Sequence, residues 1–302
     1  RRKIPKGDCM PELIIRPARA SDIPAIVRWA RSEEFAPGFG DVDIYRNTDK
    51  QGVWVGWLDS TPVGCIAGIK YNNIYGFIGL YIVRPEYRGH GYGHKLWEQA
   101  LLHLQDVKCI GLEAAPNLIT NYAEWGFKPS SKTIRWQLFN PDEEVPAQHE
   151  LYPQNLTVVT GSKIPLEAIK KYDSERELIA RPHFLSQWLE HQTGKVIALI
   201  DKSNCCHGFA RIRPCLLPAG EGWRIGPILA DSPMLAEVLI RNLLAEHEGV
   251  ILIDSPQRNS SAQSLLCSLG FREISATTRM YKGSHEAVLT KDVYGLACLE
   301  LG

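Results

Sequence analysis

The sequence predicts an α/β (α+β) protein of two similar domains, each with a mixed, mostly antiparallel sheet flanked by helices. Three observations support this fold class. The 302 residues exceed the length that one hydrophobic core usually serves. Short β-rich apolar runs alternate with amphipathic helical patterns. The second half repeats the order of these patterns in outline, which is typical of two copies of one fold.

The elements of the first half follow from local patterns. Apolar β-rich runs predict strands at 13–16, 52–59, 63–71, 77–83, 109–113 and 133–139. Apolar residues at helical spacing predict helices at 20–29, 93–104 and 117–125. The turn Ser60-Thr61-Pro62 favours antiparallel pairing of the strands that flank it. The strand at 109–113 follows a helix, so we expect it to run parallel to the strand at 77–83.

The second half has a comparable series. We predict strands at 196–200, 206–212, 223–229 and 250–254 and helices at 236–244 and 261–269. The segment 140–146 is polar and contains two prolines, as expected of a linker. The predicted organisation is an N-terminal extension at 1–10, a first domain at 11–140, a linker at 141–155 and a second domain at 156–302.

The amino-acid composition indicates which classes of binding partner to expect. The 34 basic residues balance 34 acidic ones and no long basic run occurs, so we expect neither nucleic acid nor an anionic membrane as partner. No apolar stretch approaches the roughly 20 residues that span a bilayer. The 8 cysteines lack the spacing of a zinc site, so we expect no metal and reduced thiols. These features predict a cytoplasmic protein, either a monomer or a homodimer, with a small-molecule partner.

The loop Arg88-Gly89-His90-Gly91-Tyr92-Gly93 lies between a predicted strand and a predicted helix. Clustered glycines let consecutive backbone N–H groups point at an anion, and the helix N-terminus adds partial positive charge. The dinucleotide fingerprint fails because His94 occupies the place of its last glycine. No Lys-Ser/Thr pair follows, as a nucleoside triphosphatase would require. The loop therefore predicts a diphosphate cradle, with a glycine-rich turn without ligand as the alternative.

The segment 81–93 resembles the central motif of the GNAT N-acetyltransferase superfamily, and the segment 117–127 resembles its second helix motif. Together with the segment 34–38, these motifs resemble a subgroup of tandem GNAT proteins. The resemblance implies an acetyl-CoA-dependent N-acetyltransferase. It also implies coenzyme A binding by Tyr81, Ile82, Val83, Arg88, Gly89, His90, Gly91, Tyr92, Gly93, His94 and Asn117.

The resemblance places a tyrosine, here Tyr122, where family members protonate the departing thiolate. A tyrosine of pKa about 10 stays protonated at neutral pH and can supply that proton. A tyrosine packed on the helix face is the structural alternative. The general base remains open, because residues 77–79 carry no acid where many relatives have a glutamate. Glu113 on the next strand, and Glu34 or its neighbour Glu33, are the candidates.

The second half lacks both chemical features. Leu266 stands where the tyrosine would be, and residues 230–234 contain Asp231 and no glycine at the equivalent of the phosphate loop. We therefore expect a degenerate GNAT-like domain that shapes the acceptor site, and a fragment 11–145 that still binds cofactor. The expected reaction transfers an acetyl group to a primary amine of a small molecule. The alternatives are a peptide- or aminoacyl-directed acyltransferase and a coenzyme A sensor with vestigial catalysis.

Overall fold

The computed structural model describes residues 11–141, 153–177, 181–284 and 290–302. The predicted extension 1–10 and most of the predicted linker lie outside them. The strands of the first half are β1 (Leu13–Pro17), β2 (Val53–Leu58), β3 (Thr61–Lys70), β4 (Tyr75–Val83), β5 (Cys109–Ala114) and β6 (Lys128–Asn140). Its α-helices are α1 (Ile23–Ser32), α2 (Asp41–Thr48), α3 (Tyr92–His103) and α4 (Ile119–Glu124).

The second half has a matching series. Its strands are β7 (Leu156–Thr160), β8 (Lys195–Asp201), β9 (Cys206–Leu216), β10 (Glu221–Ala230), β11 (Gly249–Pro256), β12 (Arg272–Gly283) and β13 (Val293–Gly295). Its α-helices are α5 (Leu166–Ser174), α6 (Pro182–Glu190), α7 (Pro233–Leu244) and α8 (Ser260–Ser268). Every strand and helix that the sequence predicts is present, with ends shifted by a few residues. The patterns missed α2, α5 and α6, of eight or nine residues each, and the strands β7, β12 and β13.

All described strands belong to one sheet. Its order is β1-β2-β3-β4-β5-β12-β6-β11-β10-β9-β8-β7, and β13 pairs with β10. The pairs β4–β5 and β10–β11 are parallel, and the other pairs are antiparallel. This confirms the predicted mixed, mostly antiparallel sheet and the parallel partner of β4.

The two halves exchange strands at the centre of this sheet. β12 of the second half pairs with β5 of the first, with Arg279 opposite Glu113. In turn, β6 of the first half pairs with β11 of the second, with Arg135 opposite Asp254. Each half therefore completes its sheet with a strand from the other. The fragment 11–145 would lack β12, so the exchange removes the reason to expect it to bind cofactor alone.

Helices cover both faces of the sheet. In the first half, α3 packs on one face through Leu96, Trp97 and Ala100. On the other face, α1 and α2 share a core with Phe184 and Trp188 of α6. This shared core joins helices of both halves over the first-half strands. In the second half, α7 and α8 pack with β8 to β11 in a separate core.

Candidate active site

A groove opens where two parallel strands diverge. β4 pairs with β5 only from Tyr75 to Ile78, whereas its pairing with β3 continues to Val83. Beyond Ile78, one edge of β4 therefore has backbone groups without a strand partner. Leu80 lies at a register shift with a φ of 49°, which marks a β-bulge on this edge. The cavity along the groove has a volume of about 660 Å³, within the usual range for small-molecule sites.

The glycine loop, Arg88–Gly93, borders this groove. Gly89 and Gly91 have φ values of 79° and 80°, in the left-handed region that favours glycine. Gly91 directly precedes α3, whose first N–H groups have no partner within the helix. These free donors at a helix N-terminus suit the oxygens of a phosphate. The backbone of the loop thus fits the predicted diphosphate cradle.

The Arg88 side chain connects the glycine loop to two neighbouring segments. Its Nε donates to the carbonyl oxygen of Val83 at 2.8 Å. Its guanidinium also forms an ion pair with Glu33, in the loop that follows α1. The same loop carries Glu34, so Arg88 links the phosphate end of the groove to a predicted base.

Five residues of the predicted cofactor set, Gly91 and four with side chains, are not among the residues that line the cavity. Ile82 is buried in the core beneath α1 and α2, and Tyr92 is buried in a small core near β1. His90 stacks on the ring of Tyr92 with the centroids 5.8 Å apart. His94 lies 3.1 Å from Glu98 on the surface of α3. Any part these four play in binding would be through the backbone or at the rim.

Two tyrosines line the groove beside Val83 and Asn117. Tyr81 and Tyr122 both pack on Trp97, with ring centroids 5.8 and 5.2 Å from it. Burial raises the pKa of each hydroxyl to about 12, and the proximity of Tyr81 adds to the effect on Tyr122. Among the described residues the Tyr122 hydroxyl has no hydrogen-bond partner. It is therefore a protonated donor that remains available in the groove.

The side chain of Glu113 is buried at the groove and forms hydrogen bonds with three other side chains. Oε1 accepts from Thr133 at 2.9 Å and from Arg279 at 2.6 Å, and Oε2 accepts from Thr277 at 2.7 Å. Both carboxylate oxygens therefore have partners, and one of these partners is a cation. The residue lies in the predicted place but has little spare capacity to accept a proton.

Glu34 lines the same cavity with an exposed side chain. No partner of its carboxylate occurs among the described residues. Its backbone adopts a φ of 63°, and that of Ala36 a φ of 50°, which residues with a Cβ rarely adopt. Strained backbone of this kind clusters at functional sites. The structure therefore brings Tyr122, Glu113 and Glu34 to one groove and leaves Glu34 unpaired.

The groove also contains residues that the sequence interpretation missed. Ser275, Thr277, Leu299 and Glu300 of the second half line it together with the first-half residues. A side chain at Gly79 would overlap the backbone of Glu300, so the terminal segment lies directly against β4 at a position where the strand carries no side chain. No sequence pattern signals this placement, because the segment comes from more than 200 residues away.

The second half has the same divergence of strands, but its groove is filled. β10 pairs with β11 only from Trp223 to Ile225. Further along β10, Ile228 and Leu229 pair instead with Gly295 and Val293 of β13. Segment 293–295 thus occupies the edge that corresponds to the open edge of β4.

The start of α7 differs from the glycine loop in the same way. The Ser232 side chain caps the helix by accepting from the N–H of Leu235 at 3.3 Å. Asp231 beside it accepts from Tyr172 at 2.7 Å and lies 2.8 Å from His207 Nδ1. The Ser232 hydroxyl therefore occupies one N–H group at the start of α7, and Asp231 places beside it a carboxylate that would repel a phosphate.

Two further searches cover the described residues only. No group of three His, Cys, Asp or Glu side chains is arranged to hold a metal ion there. No helix in this part of the chain has the length and apolar character to cross a membrane.

Diverging parallel strands beside a helix with a glycine-rich N-terminus, and a tyrosine in the groove, define an acyltransferase of the GNAT type. Models of the Acetyltransferase (GNAT) family and the Acetyltransferase (GNAT) domain match residues 23–127 and 169–295. The chain belongs to the GNAT superfamily and carries two GNAT domains.

Relatives and solved structures agree with this assignment. A holothin acyltransferase from a Pseudoalteromonas species is 27% identical over 289 residues, which cover 95% of this chain and 94% of that protein. A putative acetyltransferase from Pyrococcus horikoshii has the same fold, with a TM-score of 0.77, 22% identity and coverage of 100% of this chain and 99% of that one. A tandem GNAT protein from the clavulanic acid biosynthesis pathway superposes with a TM-score of 0.64 at 14% identity, covering 91% of this chain and 100% of that one.

Proposed function

We propose that this protein is an acetyl-CoA-dependent N-acetyltransferase that acetylates a primary amine of a small molecule. The observation that carries the proposal is the single groove that joins the glycine loop, the open edge of β4 and the Tyr122 hydroxyl. An anion cradle, a strand edge and a proton donor are what binding and cleaving a diphosphate-linked thioester require.

The residues of the first half fit coenzyme A by their chemistry. The N–H groups at the start of α3 and in the glycine loop would hold the diphosphate. The unpaired edge of β4 from Tyr81 to Val83 would pair with the amide groups of the pantetheine arm, as a neighbouring strand would. Asn117 also lines the groove. When bound, acetyl-CoA supplies the activated acetyl group as a thioester.

Tyr122 is the proposed general acid and Glu34 the proposed general base. The N–C bond forms as the C–S bond breaks; the amine proton passes to the Glu34 carboxylate, and the sulfur takes the Tyr122 proton. We prefer Glu34 to Glu113 because both oxygens of Glu113 already have partners, one of them Arg279. An unpaired carboxylate also attracts the ammonium form of an arriving amine. A backbone N–H on the open edge of β4 would stabilise the negative charge that develops on the carbonyl oxygen.

The acceptor end of the groove combines apolar and polar walls. Phe35, Leu80 and Leu299 provide the apolar surface, and Ser275 and Thr277 provide hydroxyl groups. Because Leu299, Ser275 and Thr277 belong to the second half, we propose that the second half shapes the acceptor site. The Pseudoalteromonas relative is named for acyl transfer to holothin, so holothin is the first acceptor to test.

The test is a screen of amines and peptides with acetyl-CoA that measures release of the free thiol. We expect thiol release that depends on one class of small amine and exceeds the release with acetyl-CoA alone. Release with peptides only would favour the peptide-directed alternative. Binding of acetyl-CoA without amine-dependent release would refute the proposal and favour the sensor.

We also propose a cytoplasmic location and a monomeric or homodimeric state. The 7 cysteines in the described part of the chain are all free, which fits a reducing compartment. Gel filtration with light scattering would establish the oligomeric state.

A further inference from the structure

The acceptor loop, residues 33–37, lies over three charged side chains buried between the halves. Asp254 on β11 accepts from Arg135 on β6 through both carboxylate oxygens, at 2.7 and 2.9 Å. The same carboxylate accepts from Arg224 on β10 at 3.0 Å. Arg135, Arg224 and Asp254 are only 6, 2 and 3% exposed. We call these three residues the buried triad.

The two guanidinium groups of the buried triad donate to the backbone of the acceptor loop. Arg135 reaches the carbonyl oxygens of Glu34 and Phe35, each at 3.4 Å. Arg224 reaches those of Phe35 and Ala36, at 3.4 and 3.1 Å. Three consecutive carbonyl groups thus point at two cations, which share the negative charge of Asp254, and Arg224 also lies 3.7 Å from a Glu300 carboxylate oxygen.

These contacts explain how the acceptor loop keeps its strained backbone. Glu34 and Ala36 have φ values of 63° and 50° on either side of Phe35. Left-handed backbone is unfavourable for residues with a Cβ and persists only where surrounding contacts impose it. The carbonyl groups that the buried triad binds belong to these two residues and to the one between them.

The second half supplies most of this support. Arg224 and Asp254 belong to it, and Arg135 lies on the exchanged strand directly opposite Asp254. The end of the loop is also tied to β9, because Leu216 donates its N–H to the carbonyl oxygen of Pro37 at 3.0 Å. The loop that carries the proposed base is therefore a first-half segment whose shape depends on second-half residues.

We infer that Asp254 is a positioning residue that acts through Arg135 and Arg224 to hold Glu34 and Phe35 in the geometry needed to bind the acceptor. The inference deepens the proposed function, on which its catalytic consequence rests. Apolar side chains could fill the same space without the cost of burying charge. What they could not do is bind three carbonyl groups of a strained loop.

The direct test is Asp254→Asn in the full chain, followed by hydrogen–deuterium exchange. Asparagine keeps the size of the side chain but removes the charge that balances both arginines. We expect amide exchange in residues 33–38 to rise by about 10-fold or more, while affinity for acetyl-CoA stays within about 3-fold of wild type.

Asp173→Asn is the matched control. Asp173 also accepts two hydrogen bonds from a buried arginine, Arg181, at 3.1 and 3.2 Å. Arg181 would keep Glu177 as a partner in this control, as Arg224 would keep Glu300 in the test variant. The control should lose stability without faster exchange in the acceptor loop. Equal loop exchange in the two variants would overturn the inference.

Kinetics with the best amine from the screen provide a second readout. Asp254→Asn should raise KM for the amine by about 10-fold or more, because the acceptor loop is misplaced. KM for acetyl-CoA should change little. If the wild type acetylates no amine, the proposed function fails, while the exchange experiment still decides whether Asp254 holds the loop.

If Asp254→Asn does not fold, the same exchange experiment is carried out with Arg135→Lys. Lysine keeps the positive charge beside Asp254 but cannot bind both Asp254 oxygens and the loop carbonyls together. The same amides should lose protection. Wild-type protection of residues 33–38 in a folded Arg135→Lys variant would also overturn the inference.

Discussion

The two halves of this protein use the same divergence of parallel strands in opposite ways. In the first half, β4 and β5 separate after Ile78 and leave a groove open. In the second half, β10 and β11 separate after Ile225, and β13 pairs with the exposed edge of β10. The fold therefore supplies a groove in both places. Whether it can take a ligand depends on whether the chain fills it.

The helix that follows each groove shows the same contrast. α3 begins after Gly91, with no side chain to cap its free N–H groups. α7 begins after Ser232, which caps it, and next to Asp231, whose charge would repel a phosphate. Phosphate binding thus requires that the protein leave its own helix N-terminus unsatisfied. The first half retains this feature and the second half does not.

The largest expected effect comes from separating the halves. A fragment 11–145 would lack β12, so β5 and β6 would each lose a neighbouring strand. We expect the fragment to lose cooperative unfolding, measured by circular dichroism, and to lose acetyl-CoA binding.

Co-expression with residues 146–302 is the control, since it returns β12 and should restore folding and binding together. A fragment that unfolds cooperatively and binds acetyl-CoA on its own would show that the first half does not need the exchanged strand.

Gly91→Glu should have the next largest effect, on cofactor affinity. A residue with a Cβ at a φ of 80° costs about 1–2 kcal/mol. A carboxylate near a phosphate adds about 1–4 kcal/mol of repulsion for effective dielectric constants between that of water and about 20. At about 1.4 kcal/mol per tenfold change, the repulsion alone should raise the Kd for acetyl-CoA at least about 5-fold, measured by calorimetry, and the backbone cost adds to this only as far as the free loop relaxes.

Gly91→Ala separates the two contributions because it carries only the backbone cost. It should weaken binding by no more than about 10-fold, because the backbone cost lowers affinity only as far as the free loop relaxes out of this conformation. Equal affinities for the alanine and glutamate variants would mean that no phosphate lies close to residue 91.

Much of the open groove could be predicted from sequence because its parts are local. The glycine loop, β4 and α3 lie within about 30 residues and follow from strand, glycine and helix patterns. Tyr122 follows from the resemblance of segment 117–127 to a family motif, which is also local. The ends of those elements were also close to the observed ones. Local patterns are informative where neighbouring residues determine the backbone.

The rest of the site could not be predicted because it depends on contacts between distant segments. The backbone of Glu300 packs against Gly79, and Asp254 lies opposite Arg135, only because the halves exchange strands. One signal was available: Arg135 and Asp254 are charged residues within apolar strand sequences. Such residues are rarely buried unless they are paired. This signal predicts that a partner exists, but it does not identify which residue it is.

Tyr122→Phe should affect the rate and spare binding. Loss of a general acid typically lowers turnover by about 10- to 1000-fold, whereas Kd for acetyl-CoA should stay nearly unchanged because the ring still packs on Trp97. Burial raises the pKa of Tyr122 to about 12, so its deprotonation should not reduce the rate below about pH 11. Steady-state kinetics from pH 7 to 10 test both points.

Tyr81→Phe is the matched control, because its hydroxyl has the same raised pKa of about 12 and lies in the same groove. The Tyr81 hydroxyl lies against Gly93, at the phosphate end. Its loss should change turnover by less than about 3-fold. A larger loss in Tyr81→Phe than in Tyr122→Phe would reassign the general acid.

The smallest expected effect is on the number of cofactor sites, which should remain one per chain after Asp231→Gly. This change removes the acid from the start of α7 and gives the second half a glycine there. It cannot open the groove, because Leu229 still pairs with Val293 and the N–H of Leu296 still donates to the carbonyl oxygen of Asp254 at 2.8 Å. Nor does it expose Leu266, which is fully buried where the first half has a half-exposed tyrosine. The variant should lose some thermal stability, since Tyr172 loses its hydrogen bond to Asp231. Calorimetric titration with acetyl-CoA should still give one site of wild-type affinity. A second site would mean that charge at the start of α7, and not the β13 strand in the groove, keeps cofactor out of the second half.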